Sequence, residues 1–125
     1  PDEMLQVNGT GISKAQLTDI QDKGTVTTNQ TIDFDSGSYV KITLNDNIQI
    51  TLSDLNASYG GTRFIIELTQ EGTAYTAGRE VTWVNSLFPG GTAPTLSTDV
   101  GAVDVLEFVW NGSDFIIVNT VFNVS

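Results

Sequence analysis

The 125-residue chain contains no cysteine and no histidine. The first absence excludes disulfides, thiolate nucleophiles and iron–sulfur or zinc–thiolate sites. The second removes the commonest general base and the commonest transition-metal ligand. Together they exclude most hydrolase triads and most metalloenzymes, and stability must come from packing, hydrogen bonding or oligomerisation. Positive charge is scarce as well. Lys14, Lys23, Lys41, Arg63 and Arg79 lie scattered against 15 acidic residues, for a formal net charge of −10. No basic stripe exists to follow a phosphate backbone, so neither nucleic acid nor an anionic membrane is expected as a partner. The simplest role for the acidity is solubility. No run approaches the ~18 apolar residues of a membrane span. Residues 1–20 also lack the basic start and apolar stretch of a secretory signal.

What is present is a succession of strand patterns. Tyr39-Val-Lys-Ile-Thr-Leu44 and Ile48-Gln-Ile-Thr-Leu52 alternate with period two, separated by the turn tripeptide Asn45-Asp46-Asn47. Phe64-Ile65-Ile66 reads as a run buried on both faces. Trp83 sits in a short strand from Glu80 to Asn85. Val103–Trp110 and Asp114–Phe122 are joined at Asn111-Gly112, the strongest hairpin signal in the chain. The expectation is an all-β domain over residues 25–125, an antiparallel, jelly-roll-like β-sandwich of about seven or eight strands. Neither a fixed-period repeat nor heptads occur, so a solenoid or a coiled-coil shaft is not expected. Residues 1–24 read as an N-terminal arm carrying Leu5, Val7, Ile12, Leu17 and Ile20. Ser13-Lys14-Ala15-Gln16 has the form of a capping box, which predicts a short helix from Ser13 to Lys23. The arm's apolar residues suit packing along its own domain and docking on a partner equally.

The candidate chemical sites are few. Asp33-Phe34-Asp35-Ser36-Gly37 resembles the start of a calcium loop, but Leu44 stands where the twelfth-position carboxylate belongs. The favoured reading puts Asp33 and Asp35 on the solvent side of a strand, with no metal and no cofactor. Asp104 and Glu107 have odd spacing and face opposite sides of one strand, so they do not form a glycosidase pair. Asp99, Asp104 and Asp114 could converge only through the fold. No catalytic residue is expected. Core packing is the default for Trp83 and Trp110. Phe88 adjoins the Pro89-Gly90-Gly91 turn and, with Tyr75 and Trp110 on or near loops, is a candidate for stacking on a sugar or a subunit.

Four segments in order carry a resemblance: Leu68-Thr-Gln-Glu-Gly72, Val81-Thr-Trp83, Pro89-Gly-Gly-Thr-Ala-Pro-Thr-Leu96 and Asp104-Val-Leu-Glu-Phe-Val-Trp-Asn-Gly-Ser-Asp-Phe115. Over about residues 40–120 the chain resembles a β-module that recurs in virion proteins of tailed bacteriophages. The family includes capsid decoration proteins, head fibres and tail fibres. The resemblance implies a non-enzymatic, trimeric β-structure located on a virion. A decoration or cement protein would bind the lattice of major capsid protein through the arm; a fibre domain would bind host-surface glycan. The residues agree with an oligomer. Residues 99–122 hold Val100, Val103, Val105, Leu106, Phe108, Val109, Ile116, Ile117, Val118, Val121 and Phe122, more apolar side chain than one hairpin face buries. A partner sheet would cover one face, and neighbouring subunits would cover parts of the other.

Overall fold

The computed structural model describes residues 19–72 and 78–124. The described residues form nine strands: β1 (Ile20–Val26), β2 (Gln30–Ile32), β3 (Tyr39–Leu44), β4 (Ile48–Leu52), β5 (Arg63–Gln70), β6 (Val81–Val84), β7 (Ser86–Leu87), β8 (Val103–Trp110) and β9 (Phe115–Val124). Alternation sets which side chains go inward. Along β3, Val40, Ile42 and Leu44 are buried while Lys41 faces water; β5 and β8 alternate in the same way over eight residues each. A run that seemed buried on both faces divides accordingly, with Phe64 and Ile66 inward and Ile65 half-buried on the outer face.

The protein is all-β, and its strand path differs from the antiparallel one expected. Six strands form one sheet in the order β1-β3-β5-β8-β9-β7, and three form a second in the order β2-β4-β6. From β1 to β6 successive strands alternate between the two sheets, and neighbours within each sheet are parallel. The chain therefore winds around its core in a coil before it turns back. Its turns are unequal. Val26 pairs with Leu44, 18 residues on, Tyr39 with Ile65, 26 on, and Ile48 with Val81, 33 on. A coil of unequal turns leaves no period in the sequence, which is why solenoid-like winding was not expected. Asn45-Asp46-Asn47 is a corner between sheets and not a hairpin.

Antiparallel pairing is confined to β5–β8 and β8–β9. The expected hairpin joins β8 to β9 through four residues, with Asn111 Oδ1 accepting from the Ser113 and Asp114 amides at 2.9 and 2.7 Å. The predicted helix from Ser13 to Lys23 is corrected at its described end: Ile20–Lys23 belong to β1, paired with β3. The exposed β-sheet register offers those residues a ladder of tertiary hydrogen bonds that outweighs a short helix's propensity.

Both sheets contribute to one buried cluster. At one end lies an aromatic group: Phe34 stacks on Phe64 with centroids 4.6 Å apart, and Phe115 lies 5.6 and 6.3 Å from them. Phe34 is delivered by a 3₁₀ turn (Phe34–Ser36) that Asp33 caps, its Oδ1 accepting from the Asp35 amide at 2.9 Å. Gly37 closes that turn under β1, where a Cβ would stand 2.6 Å from the Asp19 carbonyl oxygen. Trp110 closes the cluster from the β8 end, 4.7 Å from Phe115 and 1% exposed, so it packs in the core, as its default reading had it, and is not an exposed loop contact. Its indole N–H donates to the Asn56 carbonyl at 3.1 Å, satisfying the one polar atom the ring brings inside.

Phe64 is fully buried at the centre of this group. Phe64→Ala is expected to cost about 3–5 kcal/mol, measured as the shift in urea midpoint, because the stacked rings cannot close the cavity.

Candidate interaction surface

The long connections are held by buried polar groups. Gln70, at the end of β5, is 3% exposed. Its Nε2 donates to the carbonyls of Arg79 and Ser97 at 3.0 and 3.1 Å, and its Oε1 accepts from the Gly78 and Arg79 amides at 3.2 and 3.1 Å. One amide thus ties two otherwise separate loops to a core strand. Asp104, 2% exposed on β8, does the same for the next segment. Its Oδ2 accepts from the Ser97 amide at 2.6 Å, and its Oδ1 accepts from Ser97 Oγ at 2.7 Å and the Asn123 amide at 2.9 Å. Arg79 Nη2 donates to Asn45 Oδ1 at 2.6 Å, fastening the corner between β3 and β4.

These clamps define the loop from Phe88 to Leu96. Phe88 is half-buried against Trp83, centroids 6.2 Å apart, and Trp83 lies 5.6 Å from Phe108. Leu96 joins the core at 9% exposure. Between these anchors the apex is a 3₁₀ turn (Pro89–Gly91) in which Gly90 and Gly91 have φ of 67° and 76°. A Cβ at either would meet nothing within 4 Å, so glycine is required there by backbone conformation and not by space.

The apex overlooks a groove of about 490 Å³ lined by Pro89, Thr92, Pro94, Ile117, Val118, Asn119, Thr120 and Phe122. The groove lies between this apex and distal β9, where burial along the strand stops after Ile117. The edge of β9 is also open. Strand β7 pairs only with Phe115 and Ile116, so among the described residues no strand pairs with β9 from Ile117 to Val124 on that side. A bulge inserts Val118 between the Phe108–Ile117 and Glu107–Asn119 pairs. Beyond it Val118, Val121, Phe122 and Val124 are 43–47% exposed.

Charge is absent from this region. Residues 84–98 and 115–125 contain no Asp, Glu, Lys or Arg. The outer face of the large sheet, by contrast, carries Lys41 beside Glu67, and Arg63 3.7 Å from Glu107. There Tyr39 Oη donates to Glu67 at 2.6 Å, which, with burial and the carboxylate's charge, pushes the phenol up to about 12.

The residues singled out from sequence fall in different places. Ile20 opens β1 at the opposite edge of the large sheet and is 64% exposed. Leu5, Val7, Ile12, Leu17 and Tyr75 lie outside the described residues. Phe88 is committed to Trp83. Asp104 points inward and Glu107 outward, so the two are not a catalytic pair. Gln70 escaped sequence reasoning, because a lone glutamine in a strand carries no signal of burial. Distal β9 was visible as excess apolar content, but not as the uncovered part. Comparison with protein-family models, curated proteins and solved structures finds no match to this chain.

Two outcomes are expected. Asp104→Ala strips a buried carboxylate from three donors and should cost about 3 kcal/mol in urea unfolding. For Tyr39, the folded protein keeps its proton between pH 10 and pH 12, where the unfolded chain releases it. Stability should therefore fall as pH rises through that window, and fall less in Tyr39→Phe, measured by unfolding at stepped pH.

Proposed function

We propose that the protein is a non-enzymatic structural component of a tailed-phage virion, a decoration (cement) protein that sits as a homotrimer on the lattice of major capsid protein. One observation supports this reading above others. The polar residues of the segments that resemble the phage module act as fasteners: Gln70 holds Arg79 and Ser97, and Asp104 holds Ser97 and Asn123. Groups that each hold loops through three or four hydrogen bonds are suited to a rigid scaffold. They are not positioned to exchange protons with a substrate. The acidic, net −10 surface keeps such a protein soluble before assembly. The arm, with Leu5, Val7, Ile12 and Leu17, is the segment assigned to the capsid.

The fibre alternative places a glycan on Phe88. The packing of Phe88 on Trp83 leaves it less free for that role, so the decoration reading is preferred.

Cryo-electron microscopy of purified virions tests the location. Density in trimers at capsid symmetry axes is expected; density confined to the tail would replace this reading with the fibre one. Removal of residues 1–18, which spares β1, should abolish binding to capsids stripped of the protein while the unfolding midpoint stays unchanged. Undiminished occupancy would sink the docking role of the arm.

A further inference from the structure

We infer that the uncharged strip formed by distal β9 and the Pro89–Pro94 loop is the contact between copies of this chain, the strips meeting around the symmetry axis. The inference deepens the proposal of a self-associating protein and rests on that reading. Three features lead to it.

The first is the open edge. From Ile117 to Val124, roughly 26 Å of strand, β9 pairs with β8 and has no strand on its other side, and the Asn123 amide is taken by Asp104 Oδ1. Edges of this kind are commonly blocked by charge, proline, bulges or a covering element. This one carries neither charge nor proline, and its register breaks at Val118 and again between Val121 and Val124.

The second is the contrast with the other edge of the same sheet. There β1 carries Asp22 and Lys23, its register breaks between Asp22 and Thr25, and Asp22 Oδ1 occupies the Gly24 amide at 2.9 Å. Both edges have broken register, but β1 adds charge to it and β9 carries none.

The third feature selects the occupant. Each copy carries −10, so two copies repel wherever their charged surfaces approach. Residues 84–98 and 115–124, which meet at the groove, form a zone free of formal charge that also exposes Val118 and Phe122. When this zone meets its own image about an axis, no like charges are opposed, and Val118 and Phe122 leave water together. A basic partner would instead be drawn to the acidic remainder of the surface. Side chains of the strip can cluster about a threefold axis, whereas backbone pairing of the β9 edge with its own image would close only a twofold.

The absence of native cysteine makes the test specific. Val118→Cys and Phe122→Cys place one thiol each on the strip, and Ile20→Cys places one on the β1 edge as a control. Mild oxidation should link Val118→Cys or Phe122→Cys chains into pairs on a non-reducing gel and leave Ile20→Cys unlinked. Val118→Asp should raise the protein concentration for half-dissociation at least tenfold in sedimentation, with its circular dichroism spectrum unchanged. A wild-type oligomer that neither links through residues 118 or 122 nor loosens in Val118→Asp overturns this inference and leaves the trimeric reading standing. A wild-type chain that stays monomeric at all concentrations also overturns it, while the location in virions decides the decoration reading separately. A variant oligomer that links through Ile20→Cys instead assigns the contact to β1 and overturns it as well.

Discussion

The fold depends on the buried amide of Gln70. A coil of parallel strands needs long connections, because neighbours in each sheet cannot be joined by a tight hairpin. Here the connections after β5 and after β7 both pass the end of β5. Gln70 meets both: its amide is satisfied four times by Gly78, Arg79 and Ser97, deep at the end of a core strand. A buried amide with every lone pair and proton engaged is specific in a way that apolar packing is not, since each partner must stand in one direction. Asp104 repeats the device one strand away, fixing Ser97 from the other side and reaching the end of β9.

The groove follows from that arrangement. With the connection after β7 pinned at Phe88 and Leu96, its apex is held over distal β9 without filling the space beneath it. Burial along β9 ends at Ile117, beyond which the strand is mostly exposed. The apolar side chains there, Val118, Val121, Phe122 and Val124, are exposed. Exposed apolar strips on a soluble protein usually mark a contact surface, and here the strip is uncharged within a strongly acidic chain.

Much of this was legible in the residues, and the limits have physical causes. Strand locations followed from period-two alternation in Tyr39–Leu44, Ile48–Leu52 and Val103–Trp110, because burial on one face dictates the spacing directly. The Asn111-Gly112 hairpin was equally plain, being a local demand on backbone conformation. Asn45-Asp46-Asn47 shows where local evidence stops. Those residues ask for a change of direction, and a hairpin and a corner between sheets satisfy the request equally. Trp110 left two readings open for a related reason: its position beside a turn suggested exposure, while the aromatic group of Phe34, Phe64 and Phe115 draws it inward.

By itself the sequence determined the class of the protein: all-β, acidic, without thiol or imidazole chemistry, with more apolar surface near its C-terminus than one hairpin face can hide. These follow from composition and short-range periodicity, which every residue carries with it. Only the tertiary structure decided that the first six strands wind in parallel, that Gln70 and Asp104 are fasteners, and that distal β9 is the uncovered edge. Partner choice among strands is made by residues 18 to 33 positions apart. The energy of such pairing comes from the closure of the whole core, and no local window of sequence contains it.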